Sequence, residues 1–287
     1  MSAIWARPPE FSSPPAQIQE FFVKQEVLHR LPNAPAGRPP VLFVHGAYSA
    51  AWIWEEHFLR FFADRGYPAY AVSLRGHGAS EGDLSSASFS DYVDDVEIAA
   101  KAIGGEPVLI GHSMGGLVAQ HYLARGGKAK ALVALASAPP SGLRSSALHM
   151  TMFAPDVLFQ LALLQSLGPN WTSPAVISRA LFSSRSTLES KSGLFQKIQR
   201  ESPRASADLL APPALSLFDA GKKTPTFVLG GDADVFLPRS ALQEIADFWQ
   251  GDLEVLPGAP HGLMIDTAWR DITAEKIIAW LDAKVAA

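Results

Sequence analysis

Apolar and polar residues follow two rhythms along this chain, and a long middle segment follows neither. Val41-Leu42-Phe43-Val44 is an unbroken apolar run, as a parallel strand buried on both faces requires. Further strand-length runs stand at Ala69–Ser73, Val108–Gly111, Ala131–Ala136, Thr226–Gly230 and Asp252–Leu256. Between them the spacing predicts helices over Trp52–Gly66, Asp91–Ile103, Gly116–Ala124, Ser240–Trp249 and Trp269–Lys284. Ser88 or Ser90 would cap the second of these, with acidic residues in its first turn. This alternation implies an α/β fold with a mostly parallel, doubly wound sheet covered by helices on both faces. Gln19–His29 alternates polar and apolar residues instead, which suits an antiparallel edge or hairpin. The rhythm stops from about Pro139 to Pro213 and then resumes. The expected organisation is therefore a core of residues 1–138 and 214–287, with 1–18 as a proline-rich arm, and a helical cap of 139–213. Inserted there, the cap would lie over the strand C-termini, where open α/β sheets bind ligands.

Directly after the run Pro107–Ile110 stands Gly111-His112-Ser113-Met114-Gly115, followed by a helix-spaced segment. A serine with glycines two positions away on each side, between strand and helix, is the nucleophile-elbow pattern. The turn is tight enough that a side chain at either glycine would collide with the neighbouring strand or helix. The serine hydroxyl then stands clear at the top of the sheet. The pentapeptide alone is weak, but the strand before it and the helix after it supply the required context.

A serine needs a base, and the base needs an orienting group. In such a fold the chain order is serine, acid, histidine. Of eight histidines only His149 and His261 follow the elbow helix. His149 opens the cap, before any strand that could supply an acid. His261 lies in the Gly/Pro-rich loop Pro257–Gly262 after a predicted strand and is the expected base. The acid belongs after Thr226–Gly230, where Asp232 and Asp234 both stand. Asp234 is the choice, since it lies deeper in the loop and precedes the apolar Val235-Phe236-Leu237-Pro238; it would hold the imidazole tautomer. Asp232 is the alternative, otherwise read as a loop residue bonding its own backbone. The oxyanion donors would be the amides of Met114, after the serine, and Ala47, after the first core strand. His45 and His112 flank the site as structural hydrogen-bonding residues.

Composition narrows the picture further. The chain has 287 residues, 48% of them hydrophobic, and a net charge of -4, so no basic stripe points to nucleic acid. It has no cysteine, which excludes disulfides, thiolate nucleophiles and Cys-ligated metals. The triad chemistry calls for no metal and no cofactor. No apolar run reaches the length of a membrane span, and no apolar h-region precedes the N-terminal prolines, so a cytoplasmic protein without integral membrane association is expected. The oligomeric state is left open.

The landmarks His45-Gly46-Ala47, Leu74–Ser80, Gly111–Gly116, Gly231–Asp234 and Pro260-His261-Gly262 come in one order. Together they resemble the α/β-hydrolase superfamily over nearly the whole chain. Within it, His-Gly-Ala with Gly-His-Ser-Met-Gly-Gly looks like esterases, monoacylglycerol lipases and lysophospholipases; Trp52-Ile53-Trp54 also resembles plant-type methylesterases and hydroxynitrile lyases. The resemblance supports Asp234 as acid and makes Leu74–Ser80 a structural loop. It disfavours haloalkane dehalogenases and epoxide hydrolases, which would carry Asp at Ser113, and cofactor-free peroxidases, which usually differ at His112. The expected function is hydrolysis of small-molecule carboxylic esters with small or medium acyl chains. Tyr48, Trp52, Trp54, Met114, Phe153 and Phe159 are candidates to line an apolar acyl pocket. A C–C bond hydrolase or hydroxynitrile lyase with the same triad, or a ligand receptor keeping the fold, are the alternatives.

Overall fold

The computed structural model describes residues 24–285 apart from 35, 105, 187 and 216–223, with the backbone alone for 188–192. The proline-rich arm, residues 1–18, lies outside the described residues. So do residues 19–23 of the first expected strand, whose described part ends in β1 (Val27–Arg30).

Among the described residues seven strands form one sheet in the order β1-β3-β2-β4-β5-β6-β7. They are β1, β2 (Val41–Val44), β3 (Ala69–Val72), β4 (Val108–His112), β5 (Ala131–Leu135), β6 (Thr226–Gly231) and β7 (Asp252–Leu256). Only β1 runs antiparallel, along β3 at the edge. All residues of β2, β4, β5 and β6 are buried, whereas the edge strands β1 and β7 are partly exposed. The two-residue period divides each strand between two cores. Val41, Phe43, Ile110, Val133 and Leu229 face one layer; Leu42, Val44, Leu109, Leu132 and Val228 face the other.

The first layer holds α1 (Trp52–Glu55), α2 (Phe58–Ala63) and α11 (Arg270–Lys284); the second holds α3 (Phe89–Ile103), α4 (Met114–Ala124) and α10 (Arg239–Trp249). The single helix expected over Trp52–Gly66 is broken at His57, whose backbone leaves the helical region (φ -139°). That turn brings the His57 ring against Phe58 and Phe61 and within 2.8 Å of Asp271 on α11. Ser88 caps α3 through a reciprocal pair with Asp91, so Ser88 rather than Ser90 begins that helix.

After β2 the chain crosses to β3 on one side, then returns to β4 on the other. The loops leaving β2 and β4 therefore adjoin at the switch point of the sheet, where ligands bind in such folds. Between β5 and β6 the chain inserts α5 (Arg144–Phe153), α6 (Pro155–Leu167), a 3-10 turn (Pro169–Trp171), α7 (Pro174–Leu181), α8 (Leu188–Lys197) and α9 (Pro203–Leu210). A small cluster of Met150, Ala154, Val157 and Ala180 ties the insertion to Val235 and Phe236 on the loop after β6. Its last helix, α9, packs on α3 and sends Ala205 and Leu209 into the second core. Among the described residues no helix is long and apolar enough to cross a membrane.

Candidate active site

Ser113 sits between β4 and α4 with φ 53° and ψ -119°. Residues with side chains seldom adopt such a conformation, which costs about 1–3 kcal/mol and must be imposed by the surroundings. Its amide donates to Leu135 O (3.1 Å), and its carbonyl accepts from Gly116 (3.1 Å) and Ala138 (3.0 Å). A Cβ on Gly111 would strike Gly115 O, and one on Gly115 would strike the carbonyls of Val44 and His45. The two glycines of the motif are thus required by contacts within the turn and with β2.

His261 lies beyond β7, and its Nδ1 is 2.7 Å from Asp234 Oδ2. The other carboxylate oxygen of Asp234 accepts the amides of Phe236 (2.8 Å) and Leu237 (3.1 Å). Both side chains are nearly sealed from solvent. A carboxylate only accepts, so Nδ1 donates to it, while Nε2 has no partner among the described residues. The rings of His112 and Phe236 pack on the imidazole at 4.6 and 4.7 Å between centroids. His112 Nε2–H also donates to the His261 carbonyl (3.1 Å). Burial and the neighbouring His261 hold His112 well below the usual histidine range. It is a neutral packing residue.

Asp232 has another task. Its Oδ1 accepts from Gly258 N at 2.5 Å, joining the loop that carries Asp234 to the loop that carries His261. The expectation that it would bond its own backbone is thereby corrected. Chain-local geometry is replaced by a bond across 26 positions.

The loop after β2 faces the elbow. A Cβ on Gly46 would lie 3.0 Å from both Ser113 Cβ and His112 Nδ1, so glycine admits the close approach. His45 is fixed as the Nδ1–H tautomer, donating to Gly46 O (2.8 Å) and accepting from Leu74 N at Nε2 (3.0 Å). Burial, then the nearby His77, lowers its pKa to about 3. The amides of Ala47 and Met114 have no acceptor among the described residues. Met114 is the first residue of α4, where helix geometry leaves its N–H unpaired.

Ser113, His261, Ala47 and Tyr48 open onto one apolar cavity of about 150 Å³. Much of its remaining wall comes from the insertion (Met150, Leu161, Leu164, Ile177, Leu194, Ile198), with Phe236 and Leu237 and, from the core, Ile53, Met264 and Ile265. Of the expected lining residues, only Tyr48 is placed there. Trp54 is fully buried between Phe43 and Phe58 in the first core. Trp52 packs against that core beneath Lys197, and Met114 lies buried in the second. Phe153 and Phe159 are 72% and 60% exposed on the outside of α5 and α6. The reason is helical geometry: Leu161 and Leu164 turn inward, which points Phe159, two positions earlier, away. Because α6 is apolar on every side, its sequence does not mark which face is inner. No group of three His, Asp or Glu side chains among the described residues is arranged to hold a metal.

The family model described as "Alpha/beta hydrolase family" matches residues 41–275. A non-heme chloroperoxidase of Burkholderia pyrrocinia is 26% identical over 274 residues, 87% of this chain and 94% of that protein. A non-heme chloroperoxidase of Streptomyces lividans is 34% identical over 109 residues, 37% of this chain. That match spans only 39% of the relative's length. A solved structure of a thermophilic esterase from Thermogutta terrifontis superposes with a TM-score of 0.69 at 21% identity. It covers 92% of this chain and 95% of that one, and the likeness is one of fold.

Proposed function

The chain belongs to the alpha/beta hydrolase family, and from that premise we propose that it is a serine hydrolase of carboxylic esters. One observation carries the reading: the strained Ser113 and the Asp234-oriented His261 share the wall of a single apolar cavity. Ser113 Oγ attacks the acyl carbon while His261 Nε2 takes its proton. The oxyanion is held by the amides of Ala47, in the loop after β2, and of Met114, at the start of α4. On collapse the C–O bond to the alcohol breaks and His261 returns the proton to the leaving oxygen. Water, deprotonated by the same Nε2, then attacks the acyl-enzyme and releases the acid and Ser113. Asp234 stays ionised throughout and supports the imidazolium.

The cavity argues for the acyl class. An apolar space of about 150 Å³ accepts a group about the size of benzene. Small and medium acyl chains fit that description. The test is a panel of p-nitrophenyl esters of increasing acyl length, with Ser113→Ala as control. The reading requires turnover that peaks at short or medium chains and disappears in the control. Turnover of none of the esters, or undiminished turnover without Ser113, would remove it.

A second reading has its own observation. The chloroperoxidase of Burkholderia pyrrocinia aligns over nearly its whole length, which keeps that class as a second reading. The same acyl-enzyme attacked by hydrogen peroxide instead of water would yield a peracid. Partition of one acyl-enzyme between the two nucleophiles decides between them.

A further inference from the structure

A second buried histidine–carboxylate pair lies outside the triad, and we propose that it positions the oxyanion loop. In this inference Glu201, paired with His77 and Tyr92, holds the left-handed turn at Tyr48 and thereby aims the Ala47 amide. It rests on the hydrolase reading for the role of that amide.

Glu201 stands between α8 and α9, where the insertion returns to the sheet; His77 stands in the loop after β3. Neither side chain has any exposure. His77 Nδ1 is 3.1 Å from Arg75 O, and Nε2 is 3.1 Å from Glu201 Oε2. A carbonyl and a carboxylate can only accept, so both ring nitrogens donate and His77 is an imidazolium. Burial alone would lower its pKa, but the charge and hydrogen bond of Glu201 raise it on balance. The remaining capacity of Glu201 is also used. Oε1 accepts from Tyr92 OH (2.5 Å) and Ser202 N (2.7 Å).

Oε2 also accepts, at 3.4 Å, from the amide of Tyr48. The Tyr48 carbonyl in turn accepts from Gln199 N at 3.1 Å. Both polar backbone atoms of Tyr48 are therefore held by residues 199 and 201. Tyr48 has φ 63°, which a residue with a side chain adopts only when held. The next residue back is Ala47. Gln199 extends the clamp to the loop after β3, accepting from Gly78 N (3.0 Å) and donating to Gly76 O (3.1 Å). The same stretch carries Leu194 and Ile198 into the cavity wall. One junction thus fixes the acyl wall and the oxyanion loop relative to each other.

A pair kept only for stability is the plain alternative, and buried ion pairs are weak stabilisers compared with apolar residues of the same volume. The contact with Tyr48 gives this one a different consequence. The test uses the full chain with Glu201→Gln, and Tyr92→Phe as a milder second variant that retains the ion pair. In Glu201→Gln, kcat on a p-nitrophenyl ester should fall by about 10- to 100-fold with KM within about twofold. Inhibition by a trifluoromethyl ketone, whose adduct needs the oxyanion donors, should weaken by the same factor. Amide hydrogen exchange over residues 46–49 should accelerate while the elbow and the loops after β6 and β7 keep their protection. Tyr92→Phe should show the same pattern at smaller size. Native kcat, ketone affinity and exchange at 46–49 in folded Glu201→Gln would overturn the proposal. So would a loss of thermal stability with kcat unchanged. If the wild-type chain hydrolysed no ester, the hydrolase reading would fall, while the exchange measurement would still decide what Glu201 holds.

Discussion

Two buried histidine–carboxylate pairs stand near the C-terminal edge of the same sheet, and the difference between them is one nitrogen. In His261–Asp234 the carboxylate engages Nδ1 and leaves Nε2 open toward the cavity with Ser113. In His77–Glu201 both ring nitrogens face acceptors, and no lone pair remains to take a proton. Burial and a carboxylate partner are common to both and cannot by themselves make a base. On the proposed mechanism it is the open nitrogen that lets His261 act as the base. His77, saturated on both sides, can serve only as a fixed charge.

The largest effect expected from this comparison is on turnover. His261→Gln should lower kcat by about 10⁶, leaving the residual contributed by binding and oxyanion donors; His77→Gln should cost at most about 10² by loop misplacement. Steady-state kinetics on the two variants side by side would break the comparison if their losses matched.

Next in size is the acid. Asp234→Asn should reduce kcat by about 10⁴ through the wrong imidazole tautomer. Asp232→Asn should cost far less, since its bond to Gly258 N joins two loops without touching the imidazole. A reversed order in parallel kinetics would move the triad acid to Asp232.

Stability should show the opposite bias. Glu201→Ala removes one partner of a fully buried pair and should destabilise by about 3–5 kcal/mol, read by urea unfolding. The pH dependence carries a sign. His77 is raised from its ordinary 6.5, so its contribution is complete below that value and lost as pH climbs through the folded one. Glu201 is lowered from 4.5, so its contribution is present above that value and lost as pH falls through the folded one. The gap between wild type and Glu201→Ala should therefore be widest from about pH 4.5 to 6.5. The groups facing His77 are Glu201, Tyr92 and neutral His45. A gap that widened with alkaline pH would contradict the imidazolium assignment.

Smallest is the effect of the cavity wall. Met150→Ala or Leu161→Ala should shift acyl-length preference by about 1–3 kcal/mol. Phe153→Ala and Phe159→Ala, on the outside of the same helices, should leave it unchanged. Competition between short and medium esters measures both.

How far the sequence revealed these features depended on how local their causes were. The strands were readable because each apolar run is complete within four or five residues, as in Val41–Val44, where every position is buried. The elbow was readable because Gly111 and Gly115 answer to collisions inside one turn and with the adjacent strand. Asp234 and His261 followed from chain order and from the apolar run beside the acid. The cavity wall did not follow, because α6 is apolar all round and Trp54 gives no outward sign that it fills the core. Glu201 was invisible for the same reason at longer range: its meaning comes from His77, 124 positions away. Leu74–Ser80 reads as a structural loop, and only the fold reveals that its histidine is charged.

The most direct test of the central claim is labelling of the native protein with a fluorophosphonate, followed by peptide mass spectrometry. We predict a single adduct on Ser113, absent in Ser113→Ala, undiminished in Phe153→Ala and Phe159→Ala, and slowed in His261→Gln. An adduct on any other residue, or an active protein that takes none, would contradict the account.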